Sequence, residues 1–353
     1  MTSANAEKGP LADLTVVENG PSAAVAMCGK LLRELGARIF VTGGPRPDRF
    51  GPGRLARATS LFLDQGKETL AEADLPRRLE SADILLTTQS ADDMPVLPDG
   101  LIHAHFSAFG AHGPRAGQAS SDLVAQAAGG LLALLGDPAR EPLMLAGRQA
   151  AYSTGFLAFS AVMAALAHRD REKADGATPR GQGIELSDLE AIALLEWKGP
   201  VYYQAAGEIV PRGRETGPLV LPCSDGHLAF FYNPRDWQQI VKMFGSPPVL
   251  TEERFATQAG RMAAEPELKA ILSEFTRNRP KHELYHLAQA HGVPMGAVET
   301  IADLNVSPQY AATRFLARDA ISGSLQPLLP FTFNGERPRQ TNGRAAATTF
   351  ERQ

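Results

Sequence analysis

The stretch LADLTVVENGPSAAVAMCGKLLRELGARIFV, residues 11–41, limits what this chain can fold into more than any other part of it. LADLTVV (11–17) reads as a strand, with β-branched residues bounded by an Asn-Gly-Pro turn signal. Pro21 opens a helix at a position where the missing N–H costs nothing. Ala24, Cys28, Leu31, Leu32 and Leu35 recur at spacings of four, three, one and three, so they share one helical face. Gly36 supplies a left-handed cap, and ARIFV (37–41) reads as a buried strand. Strand, helix and strand in such short order make a parallel pair with a crossover, the unit of a doubly wound α/β sheet.

The pattern continues. ADILLT (82–87) and LIHAHF (101–106) read as strands, with a short polar helix before the first. Residues 121–135 and 149–168 are rich in alanine and leucine and read as helices. GIELS (183–187) is a further strand, followed by a helix over 188–206. The texture then changes. Residues 211–232 read as a loop and a hairpin turning at Asp225-Gly226. Helices follow near 234–244, 265–276 and 281–291, and GVPMGAVET (292–300) reads as a short strand. The expected class is α/β, with a Rossmann-like large domain over 11–205 and a smaller α+β domain over 215–310. Residues 315–345 return to the large domain, and residues 1–10 read as a tail.

Composition narrows the function. With 44% apolar and 21% charged residues the chain is of globular type. A net charge of -4 and a pI near 6.1 give no electrostatic footprint for nucleic acid. No signal peptide is legible, and no run of eighteen apolar residues suggests a membrane span. Cys28 and Cys223 stand far apart in the sequence, so a reduced, cytoplasmic protein is expected.

Three short motifs weigh little. His282-Glu283-Leu284-Tyr285-His286 matches H-E-x-x-H, with His291 as a conceivable third ligand, and gives a zinc hydrolase as a distant alternative. Leu284, Leu287, Ala288 and Val293 already supply a buried face, which leaves the histidines solvated. Gly51-Pro52-Gly53-Arg54-Leu55-Ala56 has glycines at dinucleotide-loop spacing but follows no strand, so a mobile loop is the plainer reading. His103 and His105 alternate along a strand and read as a satisfied pair near the core.

The order of segments resembles the class III CoA-transferases, the family of formyl-CoA transferase, carnitine CoA-transferases and α-methylacyl-CoA racemase. Residues 11–41 are similar to the family's opening strand, Gly-Pro and helix ending in Leu-Gly-Ala. LDQGK (63–67) is similar to its Asn-Arg-Gly-Lys. SAFGAHGP (107–114) resembles its Ser-Gly-Phe-Gly and Gly-Pro, and SDLVAQAAGGLLALLG (121–136) its Tyr-Asp, Gln-Ala and Gly helix. RGQGIELSDLEA (180–191) resembles its Gly-Gln, Val-Ser-Leu and Glu-Ala strand and helix. SDGHLAF, Trp237, ERFAT and GVPMGAV follow in order.

The resemblance implies an interlocked dimer, each active site lying between the large lobe of one chain and the small lobe of its partner. It implies a CoA thioester and a small carboxylic acid as substrates, with no permanently bound cofactor and no metal. The implied chemistry is covalent. An aspartate attacks the thioester to give a mixed anhydride, CoA returns to form an aspartyl thioester, and the acceptor acid takes the CoA.

This chain departs from the pattern where that aspartate should stand. Gly155 matches the glycine four residues beyond it, which puts Ala151 at the nucleophile's position. No Asp or Glu occurs from Pro142 to Arg169. Ser121 takes the place of the racemase histidine. Positions that the resemblance assigns to CoA carry Glu18, Asn19, Gly44, Thr88, Gln89, Ser107 and Phe109, with few cations among them. Asp122 is the best surviving carboxylate, and its plainer role is to cap the helix it begins. The expected function is CoA transfer in acyl-CoA metabolism, as a homodimer or as a heteromer with a homologous Asp-bearing subunit. The alternative is a non-catalytic subunit.

Overall fold

Strand β1 (Thr15–Asn19) runs into helix α1 (Ala23–Glu34), and β2 (Arg38–Thr42) returns parallel to β1. Ser22, rather than Pro21, forms the cap, accepting the Ala24 N–H at 3.1 Å. Gly36 has φ +108°, and Gly9 lies so close to it that a side chain on Gly9 would strike the Leu35 carbonyl. In this computed structural model the described residues are 9–338, apart from 47–48, 91–93, 95, 210–211, 213–218, 232 and 320–322. The expected tail over residues 1–10 and the end beyond 338 therefore fall largely outside them.

The next elements are α2 (Arg54–Leu63), β3 (Glu68–Leu70), α3 (Leu75–Leu79), β4 (Ile84–Thr87) and β5 (Ile102–Ser107). Helix α2 replaces the loop expected after Gly53. Gly53 sits at φ +93°, and Ala56, Thr59, Ser60 and Leu63 turn inward on one face. After α4 (Asp122–Ala128), α5 (Gln149–Ala174) leads to β6 (Gly183–Ser187), α6 (Asp188–Leu195) and α7 (Lys198–Ala206).

The six strands are all parallel, in the order β3-β2-β1-β4-β5-β6. The order reverses between β1 and β4, as in doubly wound sheets. On one face α1 and α5 bury Val25, Leu32, Ala158 and Val162 against Val16, Ile84 and Ile102. On the other, Val17, Phe40 and Leu85 pack with Leu79 of α3. Each fully buried leucine stabilises the fold by roughly 1.5–3 kcal/mol.

Two expected helices are broken. The one over 121–135 stops at Ala128, because Gly130 adopts φ +86° and Gly129 leaves room for Ile192, whose Cγ2 would lie 2.5 Å from a Cβ there. The one over 188–206 splits into α6 and α7, which puts Pro200 in the first turn of α7, where proline is tolerated. Helix α5 is long and apolar enough to cross a membrane by length and composition, although Ser153, Thr154 and Ser160 interrupt its apolar residues. Here its Ala158, Val162, Ala165 and Leu166 lie in the core, with buried Arg169 bonded to Asp83.

A second unit covers residues 214–314, while those from 315 onward belong with the first. Its sheet joins β7 (Leu219–Cys223), β8 (Gly226–Phe230) and β9 (Met295–Ala297), all antiparallel. Cys223 pairs with Gly226, so the turn residues are Ser224 and Asp225, one position earlier than expected. Much of the loop expected from 211 lies outside the described residues. Helices α8 (Trp237–Met243), α9 (Gln258–Ala263), α10 (Glu265–Thr276) and α11 (Lys281–Ala290) accompany this sheet. Phe230, Phe255, Leu221 and Leu272 are fully buried in its core. Beyond α12 (Ile301–Asn305) and α13 (Pro308–Thr313), β10 (Leu316–Arg318) and β11 (Leu325–Pro327) pair, and Leu329 joins the core of the first unit.

Candidate active site

Crevices in doubly wound sheets open beyond the carboxyl ends of the strands where their order reverses. Here a pocket of about 640 Å³ opens there. Thr88 and Gln89 follow β4, Ser107 and Phe109 close β5, Ser22 caps α1, and Asp188 follows β6. Four residues singled out in the sequence, Thr88, Gln89, Ser107 and Phe109, thus meet in one cavity.

The local backbone explains why they stay there. The Thr88 N–H bonds to the Asn19 carbonyl at 3.1 Å, and Gly20, at φ +126°, leaves the space that the Thr88 hydroxyl fills. The Asn19 amide is buried and donates to the Gln89 side-chain oxygen at 2.8 Å, so Asn19 orients Gln89 from behind. The Ser107 hydroxyl donates to the Leu186 carbonyl and accepts the Gly110 N–H at 2.9 Å, fixing the turn that carries Phe109.

Two other positions lie elsewhere. Glu18 is fully buried and bonds to Lys67 at 2.5 Å and to Arg49 at 3.0 Å. Asp64 also bonds Arg49. Such a cluster holds β1, the loop before α2 and the start of β3 together, and engages both carboxylate oxygens of Glu18. Gly44 is buried in the turn after β2, against Thr69, and does not line the pocket.

Ala151 lies in the first turn of α5. Asp122 does not cap its own helix, because the Ser121 hydroxyl does so by accepting the Val124 N–H. The Asp122 carboxylate turns instead to α5, where Oδ1 accepts the N–H groups of Ala150 at 3.0 Å and Ala151 at 3.3 Å. Its Oδ2 accepts from Gln126 at 2.7 Å. Oδ1 thus orients the start of α5, and Oδ2 ties the carboxylate to Gln126 on its own helix.

Sequence reasoning missed two residues. Arg115 places its guanidinium 4.3 Å from the centre of the Phe109 ring, which puts a cation beside the pocket. Asp188 lines the pocket and lies 2.6 Å from the Thr154 hydroxyl, one turn along α5 from Ala151. Burial pushes its carboxyl above the usual range, and the nearby Asp122 charge adds to the rise. The one hint in the sequence was an acid where the family's Val-Ser-Leu pattern has leucine. His103 and His105 also differ from expectation. Nε2 of His103 has no hydrogen-bond partner among the described residues, and His105 lines the pocket.

The zinc motif does not assemble. Glu283 is held by Arg279 at 2.7 Å, His282 faces Glu299, and the His286 ring packs edge-on against Tyr285. Among the described residues no group of three metal-ligating side chains occurs.

A family model described as CoA-transferase family III matches residues 88–344. The chain belongs to CoA-transferase family III. Family members similar to it include the succinate–glutarate CoA-transferase of Agrobacterium fabrum, 25% identical over 349 residues, covering 88% of this chain and 86% of that one. Another is subunit BbsE of the succinyl-CoA:(R)-benzylsuccinate CoA-transferase of Thauera aromatica, 27% identical, covering 72% of this chain and 62% of that one. Among solved structures, a CAIB/BAIF family protein from Brucella suis superposes with a TM-score of 0.81 at 25% identity, covering 94% and 95% of the two chains.

Proposed function

We propose that this chain binds a CoA thioester in the pocket at the β1/β4 reversal and takes part in moving CoA to a small carboxylic acid. The observation that carries this reading is the convergence of Thr88, Gln89, Ser107 and Phe109 on one cavity beside the capped start of α1. The N-terminus of that helix offers unpaired N–H groups and a partial positive charge suited to a diphosphate. Arg115 supplies a cation for a phosphate, a role that Ser107 has no charge to fill. CoA enters and leaves as substrate rather than as a resident cofactor.

Ala151 brings no reactive group, so the acyl-accepting carboxylate comes from elsewhere. In one reading it comes from a homologous Asp-bearing partner in an interlocked dimer, and the Thauera relative, itself a subunit, is in keeping with that. In the other it comes from this chain's own pocket.

Calorimetric titration of the full chain with CoA, acetyl-CoA and succinyl-CoA tests the binding claim. Saturable binding weakened by Gln89→Ala and Phe109→Ala is expected. No binding of any thioester would overturn the reading. Purification from the native source, with identification of co-eluting chains, tells a homodimer from a heteromer.

A further inference from the structure

Asp188 is the acid that reaches the pocket from a new direction. It is the first residue of α6, immediately after β6 ends at Ser187. Its backbone is pinned on both sides. The Ser187 hydroxyl accepts the Glu190 N–H at 3.2 Å, and the Leu189 N–H donates to the Ala108 carbonyl at 3.0 Å, tying α6 to the turn after β5. The side chain is half-buried, at the first position of α6 where the helix dipole favours an anion. Of its two oxygens, Oδ1 meets Thr154, and Oδ2 has no hydrogen-bond partner among the described residues.

Thr154 sharpens the point. Its hydroxyl is buried and lies 2.9 Å from the Ala150 carbonyl as well as 2.6 Å from Asp188. A hydroxyl has one proton. When that proton goes to Ala150, the contact with Asp188 needs a proton on the carboxyl, and when it goes to Asp188, the carboxylate is ionised and held in place. The contact therefore accommodates both states of the acid. Ala150 and Ala151 begin this same turn of α5, so the carboxylate missing at 151 has a neighbour one turn away.

We propose that Asp188 is the acyl-accepting nucleophile of this chain, in a reading that rests on the CoA-transfer function above. Its Oδ2 forms a C–O bond to the thioester carbonyl carbon as the C–S bond breaks. CoA leaves as the thiolate and the aspartyl anhydride remains. The thiolate then attacks the aspartyl carbonyl carbon, forming a C–S bond and releasing the donor acid as carboxylate. The acceptor carboxylate attacks this aspartyl thioester, again expelling thiolate, and the thiolate's attack on the acceptor carbonyl gives the new acyl-CoA and restores the Asp188 carboxylate. No proton, oxidant or further reactant is needed.

The experiment is mass spectrometry of the purified full chain after incubation with succinyl-CoA or acetyl-CoA. The expected result is a mass gain of one CoA less one water, located by fragmentation at Asp188. Asp188→Asn should abolish the adduct and at least 1,000-fold of any transfer activity, while still binding CoA in the calorimeter and melting no lower than the parent. Asp188→Glu, which keeps the carboxylate one methylene further out, should retain a measurable part of both. An adduct on another carboxylate overturns the proposal. So does an adduct that appears only on a co-purified homologous chain, or a chain that binds CoA thioesters and never acquires one; in these cases the CoA-binding reading stands. Absence of thioester binding would remove both.

Discussion

Asp122 accepts the backbone N–H of Ala150 at 3.0 Å across 28 positions of sequence, so the acid that begins one helix caps the next. The carboxylate thereby satisfies N–H groups of the first turn of α5 that have no partner within that helix. Asp122→Ala should lower stability by about 1–2 kcal/mol, the usual cost of a lost cap. Urea unfolding of the two proteins measures it, and Asp122→Asn should recover part of the loss.

Lys67 stands between Glu18 at 2.5 Å and the Ala26 carbonyl at 2.9 Å, with no solvent nearby. Lys67→Met leaves Glu18 with one cation for two buried carboxylates. A loss of about 3–5 kcal/mol is expected, because an uncompensated buried charge is what such a cut creates. Adding Glu18→Gln to the same protein should restore a large share, and denaturant midpoints of the single and double variants report it.

Gly155 lets α5 approach α1. A Cβ there would lie 2.7 Å from the Met27 Cβ and 2.9 Å from the Ala24 carbonyl oxygen. The carbonyl belongs to a helix backbone and yields poorly. Gly155→Ala should therefore destabilise by about 1–3 kcal/mol, despite alanine's better helix propensity. Thermal melting decides the sign.

Burial disfavours the ionised form of Asp188, so its folded pKa lies above its unfolded one. The stability linked to this group is present below the ordinary carboxylate pKa, near 4, and is lost as pH rises through the folded value. Asp188→Asn should then melt higher than the parent at pH 7.5, and the gap should close at pH 4. A gap independent of pH would contradict the burial argument.

Arg115 should matter for binding and little for folding, since its side chain lies over Phe109 at the surface. Arg115→Ala is expected to weaken CoA binding about tenfold, equivalent to about 1.4 kcal/mol. A contact with a phosphate would make the deficit shrink in high salt. Calorimetry at two salt concentrations tests both claims.

How much of this was legible in the sequence depended on distance along the chain. The β1-α1-β2 unit, β4, β5, β6 and the span of α10 follow from local periodicity and caps, and the structure reproduces them within a few residues. Helix α2 was hidden because two glycines and several arginines read as a loop, although its inward face of Ala56, Thr59, Ser60 and Leu63 depends on packing rather than on strong apolar residues. The break after Ala128 required knowing that Ile192 would lie beside Gly129. In the site, Thr88, Gln89, Ser107 and Phe109 could be named only through the family resemblance, which assigns those positions to CoA; periodicity placed the strands β4 and β5 beside which they stand. Asp188 and Thr154 lie 34 positions apart, and nothing in either local stretch announces that they touch.

The grip of Asp122 on Ala151 bears on what an aspartate placed at 151 would meet. That side chain would arrive in a turn already oriented by one carboxylate and facing a second, half-buried one on the adjoining helix. Three anions would then compete for the same few donors, and each would raise the cost of the others. An acid placed at that one position is thus opposed by the charges already fixed around it.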